Sequence, residues 1–182
     1  MTEHGSVGRG TVRIAVVSDT HLPRGDRVLP PALLEECAAA DLILHAGDVV
    51  RGSVLDELEG YGRVLGVRGN GDGPELWSRL PQTRTIELAG TRIGMIHDAG
   101  RAEGRPARLA ALFPGCHVVV FGHSHVPLVD RHDRRLLLNR GSAIDKRRQP
   151  TCTMARLVVD DGRATVELLP LPLARRASDV GT

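Results

Sequence analysis

This chain of 182 residues is poor in aromatic side chains, which make up 2% of it, and in lysine, which occurs only at Lys146. It contains no run of 18 apolar residues, so no membrane-spanning helix is predicted. Its 24 Lys and Arg residues nearly balance its 22 Asp and Glu residues. Proteins that bind nucleic acid usually combine a basic surface with aromatic platforms for the bases. The composition therefore gives no strong signal for nucleic acid, and none for a membrane, as a partner.

Cysteine is scarce as well. Cys37, Cys116 and Cys152 are odd in number and form no C-x-x-C pair, which favours buried free thiols in a reducing compartment over a disulfide framework. The first ten residues are polar and glycine-rich and lack the apolar core of a secretion signal. We therefore expect a cytoplasmic protein.

The length suits one domain, because 182 residues with 41% hydrophobic side chains can bury a single core but not two comfortable ones. We expect residues 1–10 to form a flexible N-terminus, residues 11–170 the domain, and residues 171–182 a flexible C-terminal tail. The sequence does not decide between a monomer and a homo-oligomer, because no surface pattern requires an oligomer.

The first half of the chain alternates apolar runs with helical patterns. Strands are expected to begin at Val12, Leu42 and Arg63, and helices to cover residues 30–40 and 53–59. The order strand, helix, strand, helix, strand is typical of a parallel sheet covered by helices.

The second half is dominated by paired strands with short polar or glycine-containing turns, the pattern of antiparallel hairpins. Parallel units followed by hairpins fit two sheets packed face to face with helices outside. The expected pairs are residues 83–88 with 92–97, 126–130 with 135–138, and 153–159 with 163–168, and a helix at 106–113 precedes a strand at 117–121.

Side chains that bind metals follow five of the expected strands, and the carboxyl ends of strands are where sites assemble in α/β sheets. If the first strand stays extended past Val17, Asp19 and His21 project from the same face and converge. The full set is Asp19, His21, Asp48, Asn70, His97, His123 and His125.

This donor set contains nitrogen and oxygen but no thiolate. It suits Mn²⁺, Fe, Zn²⁺, Co²⁺ or Ni²⁺ and speaks against a structural cysteine zinc site. Seven side chains are too many for one ion and about right for two, so two divalent metal ions are expected, with Mn²⁺ as the first expectation.

The motifs that carry these residues occur in an order that resembles the calcineurin-like metallophosphoesterase superfamily. They are Asp19-x-His21, Gly47-Asp48, Gly69-Asn70, His97 and Gly122-His123-Ser124-His125. The chain's size, the Gly-Asn-x-Asp form of residues 69–72 and the segment Asn139-x-Gly141-Ser142 resemble its small prokaryotic phosphodiesterases of the YfcE type. The resemblance covers nearly the whole chain, from about Val12 to about Leu169.

The resemblance implies an α/β fold, a four-layer α-β-β-α sandwich of two mixed β-sheets flanked by helices, with a binuclear metal centre. It also implies the distribution of the ligands. Asp19, His21 and His125 would hold one ion, Asn70, His97 and His123 would hold the other, and Asp48 would bridge the two.

Such a centre hydrolyses phosphate esters because two cations roughly 3.5–4 Å apart acidify a bridging water and clamp phosphoryl oxygens, so that hydroxide attacks in line. Two divalent ions and two carboxylates leave a formal charge of about +2, which one hydroxide and one diester monoanion neutralise. We therefore expect a phosphodiesterase acting on a small phosphodiester. The alternatives are a phosphomonoesterase or nuclease with the same centre, or a non-catalytic protein-binding scaffold of the same fold.

One departure from the family's pattern concerns the leaving group. Gly71 stands where many relatives carry a His that can protonate it, so Asp72, a metal-bound water or an activated leaving group must serve. We therefore take Asn70 and Asp72 as candidate catalytic residues. The alternatives for Asp72 are a residue that supports the metal ligands or a plain turn former.

Two further departures concern the surroundings of the centre. Asp98 stands where relatives have Gly after His97, and it could orient that imidazole or add negative charge at the second metal. Arg140 replaces the proline of an Asn-Pro-Gly-Ser segment, which costs little if Arg140 lies on a surface turn. Of the remaining polar residues, His45 is expected to be hydrogen-bonded structure and Arg24 a solvated loop arginine, with a contact to substrate phosphate as its alternative.

Overall fold

The chain folds around two five-stranded mixed sheets, described here from a computed structural model that covers residues 10–175. The strands are β1 (Val12–Val17), β2 (Leu42–His45), β3 (Val64–Gly66), β4 (Thr83–Leu88), β5 (Thr91–Ile96), β6 (Val118–Phe121), β7 (Leu128–His132), β8 (Arg135–Asn139), β9 (Cys152–Asp160) and β10 (Arg163–Leu171). The helices are α1 (Pro31–Ala38), α2 (Gly52–Glu59), α3 (Pro74–Trp77) and α4 (Arg105–Leu112).

Both sheets are mixed: the first is parallel at one edge and antiparallel at the other, and the second has a parallel centre and two antiparallel edges. The first sheet has the order β10-β9-β1-β2-β3 and the second the order β4-β5-β6-β8-β7. Strands β1, β2 and β3 are parallel, as are β5, β6 and β8. The three expected hairpins are confirmed as β4–β5, β7–β8 and β9–β10. The parallel strands of both sheets deliver their following loops to the site.

The core lies in three layers of side chains. Val16 and Leu44 of the first sheet pack against Met95 and Val120 of the second, so the two sheets face each other. On the outside of the first sheet, residues such as Val17 meet α1 and α2, and on the outside of the second sheet Val119 and Phe121 meet α4. The alternation of Val118 to Phe121 between these faces follows the two-residue period of a strand. The predicted four-layer sandwich is confirmed.

The ends of the described chain differ from the expected tail. Strand β10 continues to Leu171, which pairs with Cys152, and the Val28 N–H donates to Ala174 O at 3.3 Å. The expected flexible segments otherwise fall on residues 1–9 and 176–182, outside the described range. The sequence also did not predict α3, whose four residues follow Gly73.

Two simpler expectations can be compared directly. Cys37, Cys116 and Cys152 are free and buried, as predicted. None of the described helices has the length and apolar character needed to cross a bilayer.

Candidate metal centre

The metal-competent side chains lie on tight loops directly after the parallel strands. The condition that the chain stays extended through Asp19 and His21 is not met, since their φ angles are +49° and +45°. Asp48, His123 and His125 share this left-handed backbone, with φ of +56°, +68° and +59°. Such angles are uncommon outside glycine because Cβ approaches the carbonyl oxygen. The loops turn these side chains toward a common point, whereas in a continued strand successive side chains would point to opposite faces of the sheet.

Backbone hydrogen bonds lock the first two loops to each other. The N–H of Asp19 donates to Gly47 O at 2.8 Å, and that of His21 donates to Asp48 O at 3.0 Å. Gly47 has a φ of +92°, and a Cβ there would lie 2.6 Å from Nδ1 of His97. Only glycine allows the imidazole of His97 to approach this loop so closely.

Three of the predicted ligands form a first cluster. His125 Nε2 lies 3.3 Å from Asp19 Oδ1 and 3.1 Å from His21 Nε2. Asp19 and His125 are almost fully buried. Their ligand atoms lie within 4.8 Å of one another, close enough for one ion to bind all three.

Asp48 joins this cluster to a second one. Its Oδ1 accepts the N–H of Gly71 at 2.7 Å, while its Oδ2 lies 3.6 Å from His21 Nε2 and 3.3 Å from His97 Nε2. The same carboxylate oxygen therefore faces one imidazole from each side, as a bridging ligand must.

Asn70 and His123 form the exposed end of the arrangement. Asn70 Oδ1 lies 2.8 Å from His123 Nδ1, and the ring centre of His123 lies 5.3 Å from that of His97. The clusters Asp19–His21–His125 and Asp19–Asp48–His97, formed by imidazole and carboxylate groups, do not include His123. The structure thus brings all seven predicted residues to one place, five at its buried centre and two at its rim.

The hydrogen bonds of two imidazoles test whether these residues suit metal ions. His97 Nδ1 lies 2.7 Å from Ala46 O, and His125 Nδ1 lies 2.7 Å from Asp145 O. A carbonyl only accepts, so Nδ1 of each ring carries the proton, and Nε2 of the neutral ring presents a lone pair. Within residues 10–175, Nε2 of His97 makes no hydrogen bond. Metal-binding histidines typically have this backbone support.

In both rings the lone pair of Nε2 faces a carboxylate oxygen across 3.3 Å. Two electron-rich atoms repel each other at that distance, so a cation belongs between them. Burial lowers the pKa of His97, but the carboxylates of Asp48 and Asp19 and the Ala46 carbonyl outweigh it and raise this pKa above its usual value. A proton or a metal ion can satisfy these pairs, and the donor set fits a divalent metal.

The charges around Asp19 keep this ligand ionised. Burial raises the pKa of Asp19, but the contact with His125 and the charge of Arg140 outweigh burial and hold this pKa far below its usual value. Asp48 behaves similarly: burial raises its pKa, but the contact with His97, the charge of His97 and the N–H of Gly71 together outweigh burial and lower it. Both carboxylates are therefore negatively charged at neutral pH.

The carboxylate of Asp72, the candidate proton donor, accepts hydrogen bonds from three backbone N–H groups. Its Oδ1 accepts the N–H of Val50 at 2.7 Å, and its Oδ2 accepts those of Gly69 at 2.7 Å and Asp48 at 3.1 Å. The residue is 3% exposed. Asp72 therefore ties the loop after β2 to the loop after β3.

Arg140 does not lie on a surface turn, so the condition under which it would replace proline at little cost is not met. Its side chain is 0% exposed and lies 3.5 Å from Asp19 Oδ2. The physical reason is that the loop after β8 passes behind β1, where the carboxylate of Asp19 provides a partner for a buried cation.

Asp98, His45 and Arg24, the other polar residues considered in the sequence analysis, form hydrogen bonds or an ion pair with neighbouring residues. Asp98 is exposed and accepts the N–H of Gly100 at 2.7 Å, so Ala46 O and not Asp98 orients His97. His45 is fully buried and lies 3.2 Å from Thr20 Oγ1, as predicted for a structural histidine. Arg24 pairs with the carboxylate of Asp145.

Sequence reasoning missed the residues that support the ligands. Ser142 Oγ donates to Asp19 O at 2.7 Å, Asp145 O orients His125, and Asn139 Nδ2 donates to Gly122 O at 2.8 Å. The segment Asn139-x-Gly141-Ser142 was the available signal, because it matched the family without an assigned role.

Comparisons with known proteins agree with this geometry. A family model, the calcineurin-like phosphoesterase superfamily domain, matches residues 12–162. A probable metallophosphoesterase of Methanocaldococcus jannaschii is 35% identical over 165 residues, 89% of this chain and 83% of the relative. A predicted phosphoesterase from Streptococcus pneumoniae has a similar structure, with a TM-score of 0.68, 26% identity, and coverage of 90% of this chain and 91% of that chain.

A further solved structure shares the fold alone. Vacuolar protein sorting 29 from Cryptosporidium parvum matches with a TM-score of 0.72 and 19% identity, covering 87% of this chain and 97% of that chain. The family model spans every strand end that supplies the centre, and the archaeal relative is similar over most of both chains. This chain thus belongs to the calcineurin-like phosphoesterase superfamily, a family of metal-dependent phosphate ester hydrolases.

Proposed function

We propose that this protein is a binuclear metal-dependent phosphodiesterase. The observation that carries the proposal is that His97 and His125 each direct a lone pair at a buried carboxylate, with the other ring nitrogen committed to a backbone carbonyl. Two divalent ions bound there would generate a hydroxide nucleophile at neutral pH and offset the charge on phosphoryl oxygens.

The distances support the ligand assignment that the family resemblance implies. Asp19, His21 and His125 would hold one ion, and Asn70, His97 and His123 the other. Asp48 would bridge, because its Oδ2 lies within 3.6 Å of His21 Nε2 and 3.3 Å of His97 Nε2. Asn70 and His123 lie on the exposed side, where a substrate arrives.

The formal charge of the centre favours a diester. Two divalent ions with Asp19 and Asp48 leave about +2, and the two further buried charges, Arg140 and Asp72, cancel each other. A hydroxide nucleophile takes one unit of charge and a diester monoanion the other. A monoester dianion would leave the centre with a formal charge of about −1, which is unfavourable beside the buried carboxylates of Asp19 and Asp48.

Neither Gly71 nor Asp72 offers a side chain placed to protonate the leaving group. Gly71 has none, and both carboxylate oxygens of Asp72 accept backbone N–H groups. General acid catalysis typically contributes roughly 10²- to 10⁴-fold. We therefore expect good rates only for leaving groups of low pKa, with Asp72 acting as a positioning residue.

Two measurements test the proposal. Metal content of the purified protein should approach two ions per chain, and should fall in Asp48→Asn, which keeps the acceptor for Gly71 but removes the bridging charge. The matched control is Asp41→Asn, an exposed aspartate whose carboxylate accepts only the N–H of Arg13 in the described hydrogen bonds. Turnover of nitrophenyl diesters and monoesters, and of cyclic and linear phosphodiesters, is then compared with Mn²⁺ and each other candidate ion.

We expect the diesters to be the better substrates. A strong preference for monoesters would discard the diester assignment and leave a phosphomonoesterase. Bound metal without turnover of any ester, or no metal at all, would favour the protein-binding scaffold.

A further inference from the structure

Arg140 is the largest side chain among the described residues that is fully buried. It follows β8 and occupies the position where the family's segment has proline. Burying a guanidinium is costly unless it is paired and hydrogen-bonded. The residue that compensates this charge therefore indicates what Arg140 does.

The contacts of Arg140 converge on one oxygen of Asp19. Its Nη2 lies 3.5 Å from Asp19 Oδ2 and donates to Ser18 Oγ, which itself donates to the same Oδ2. Its Nη1 donates to Thr153 O at 3.2 Å. The opposite oxygen, Oδ1, faces His125 Nε2 at 3.3 Å. The carboxylate thus has a cationic side and a metal side.

We propose that Arg140 is a permanent counter-ion of the metal centre, which neutralises Asp19 when no metal is bound and thereby keeps the empty site folded. Burial lowers the pKa of Arg140 to about 10, against the opposing charge of Asp19, so the side chain remains cationic at neutral pH. The inference rests on the proposed metal centre.

The same charge has an opposite effect on the metal. A cation behind Asp19 repels a divalent ion in front of it, and this repulsion is weakly screened in a buried site. Arg140 should therefore stabilise the metal-free protein and weaken metal binding, because the two effects are linked by one thermodynamic cycle.

Arg140→Met removes the charge and keeps an unbranched apolar side chain. We expect the melting temperature of the chelator-treated protein to fall by about 6–20 °C, the shift that loss of a buried ion-pair partner produces in a chain of this size. Saturating Mn²⁺ should restore most of the difference. The melting temperature of metal-free Arg140→Lys, which retains a charge, should lie between those of the unmodified protein and Arg140→Met.

Isothermal titration with Mn²⁺ alone measures the linked effect. We expect the folded Arg140→Met protein to bind Mn²⁺ about a hundredfold more tightly than the unmodified protein. Weaker binding would show that the guanidinium orients Asp19 and does not act as a counter-ion, and would overturn the proposal.

Arg135→Met is the matched control. Its guanidinium donates to the backbone carbonyls of Cys116 and Phe113, away from the centre, so any loss of stability should be equal with and without Mn²⁺. The same equal loss in Arg140→Met would mean that Arg140 has only a packing role.

A double-mutant cycle covers the case in which Arg140→Met does not fold. In the metal-free protein, Asp19→Asn combined with Arg140→Met should be more stable than either single variant, because neither charge is left unpaired. A double variant less stable than both would refute the pairing. These melting experiments need no substrate, so a failed ester screen leaves them valid.

Discussion

Asp72→Asn is the most direct test of how the loops after β2 and β3 are held. The native carboxylate accepts the N–H groups of Val50, Gly69 and Asp48 at 2.7, 2.7 and 3.1 Å. Asparagine has nearly the same shape but only one oxygen. In either orientation of its amide, at least one of these backbone N–H groups faces an NH₂ group.

The expected loss of stability follows from these contacts. Hydrogen bonds to a charged acceptor contribute about 1.5–3 kcal/mol each, and a buried donor left without an acceptor costs about 1–3 kcal/mol. Partial relaxation leaves roughly 2–4 kcal/mol, or about 4–16 °C in melting temperature for a chain of this length. Val50 adds to the effect, because its φ of +79° is strained for a β-branched residue. Within residues 10–175, its N–H donates to Asp72 alone.

Urea denaturation of the metal-free protein measures the stability, and titration with Mn²⁺ measures how well Asp48 is still positioned. We expect both to weaken in Asp72→Asn and neither to change in Asp41→Asn, whose carboxylate is exposed. Unchanged stability and metal affinity, with slower turnover confined to poor leaving groups, would instead identify Asp72 as the proton donor.

Three further outcomes are expected. Gly71→His should raise turnover of diesters with poor leaving groups by roughly 10- to 100-fold over Gly71→Ala, because it adds the missing acid; an unchanged dependence of rate on leaving-group pKa would contradict this. A Cβ on Gly69 would collide with Asp48 Oδ1, whereas one on Gly73 meets nothing within 4 Å, so Gly69→Ala should lose Mn²⁺ affinity in titration and Gly73→Ala should not. Burial, with the nearby arginine charge, lowers the pKa of His45 to about 3. The unfolded chain takes up this proton near pH 6.5, so the free energy of unfolding should fall by about 1.4 kcal/mol for each pH unit below that value. In His45→Gln, the free energy of unfolding, measured by denaturation at each pH, should depend less on pH. An equal pH dependence in both proteins would refute the assignment.

The fold was predictable because its signals are local. Apolar runs such as those beginning at Val12 and Leu42 are short, rich in β-branched or aliphatic residues and bounded by polar or glycine-containing sequence, which favours buried strands. The hairpin turn at Ala89 and Gly90 is visible in the glycine. The order of parallel units and hairpins then limits the possible topologies, so the arrangement of the strands in two sheets could be predicted.

The ligand residues were predictable for a related reason. Parallel strands place their carboxyl ends together, so seven side chains at the ends of five strands had to share a region. The backbone conformation that aims them was not predictable in the same way. Asp19 and His21 adopt left-handed φ because backbone hydrogen bonds from their N–H groups to the next loop fix the turn, and that loop lies more than twenty residues away in sequence.

Arg140 and Asp72 show why residues beside the ligands resist prediction. In sequence each sits in a polar, glycine-containing segment, which is typical of solvated turns. In the structure both side chains are buried because another loop supplies a partner. The carboxylate of Asp19 pairs with Arg140, and the N–H of Val50 is among those that donate to Asp72. A buried charge is stable only with its partner, so its environment is a property of the pair. Neither Asp19 nor Val50 lies near its partner in the chain, so the sequence of either segment alone does not show that the side chain is buried or which group it contacts.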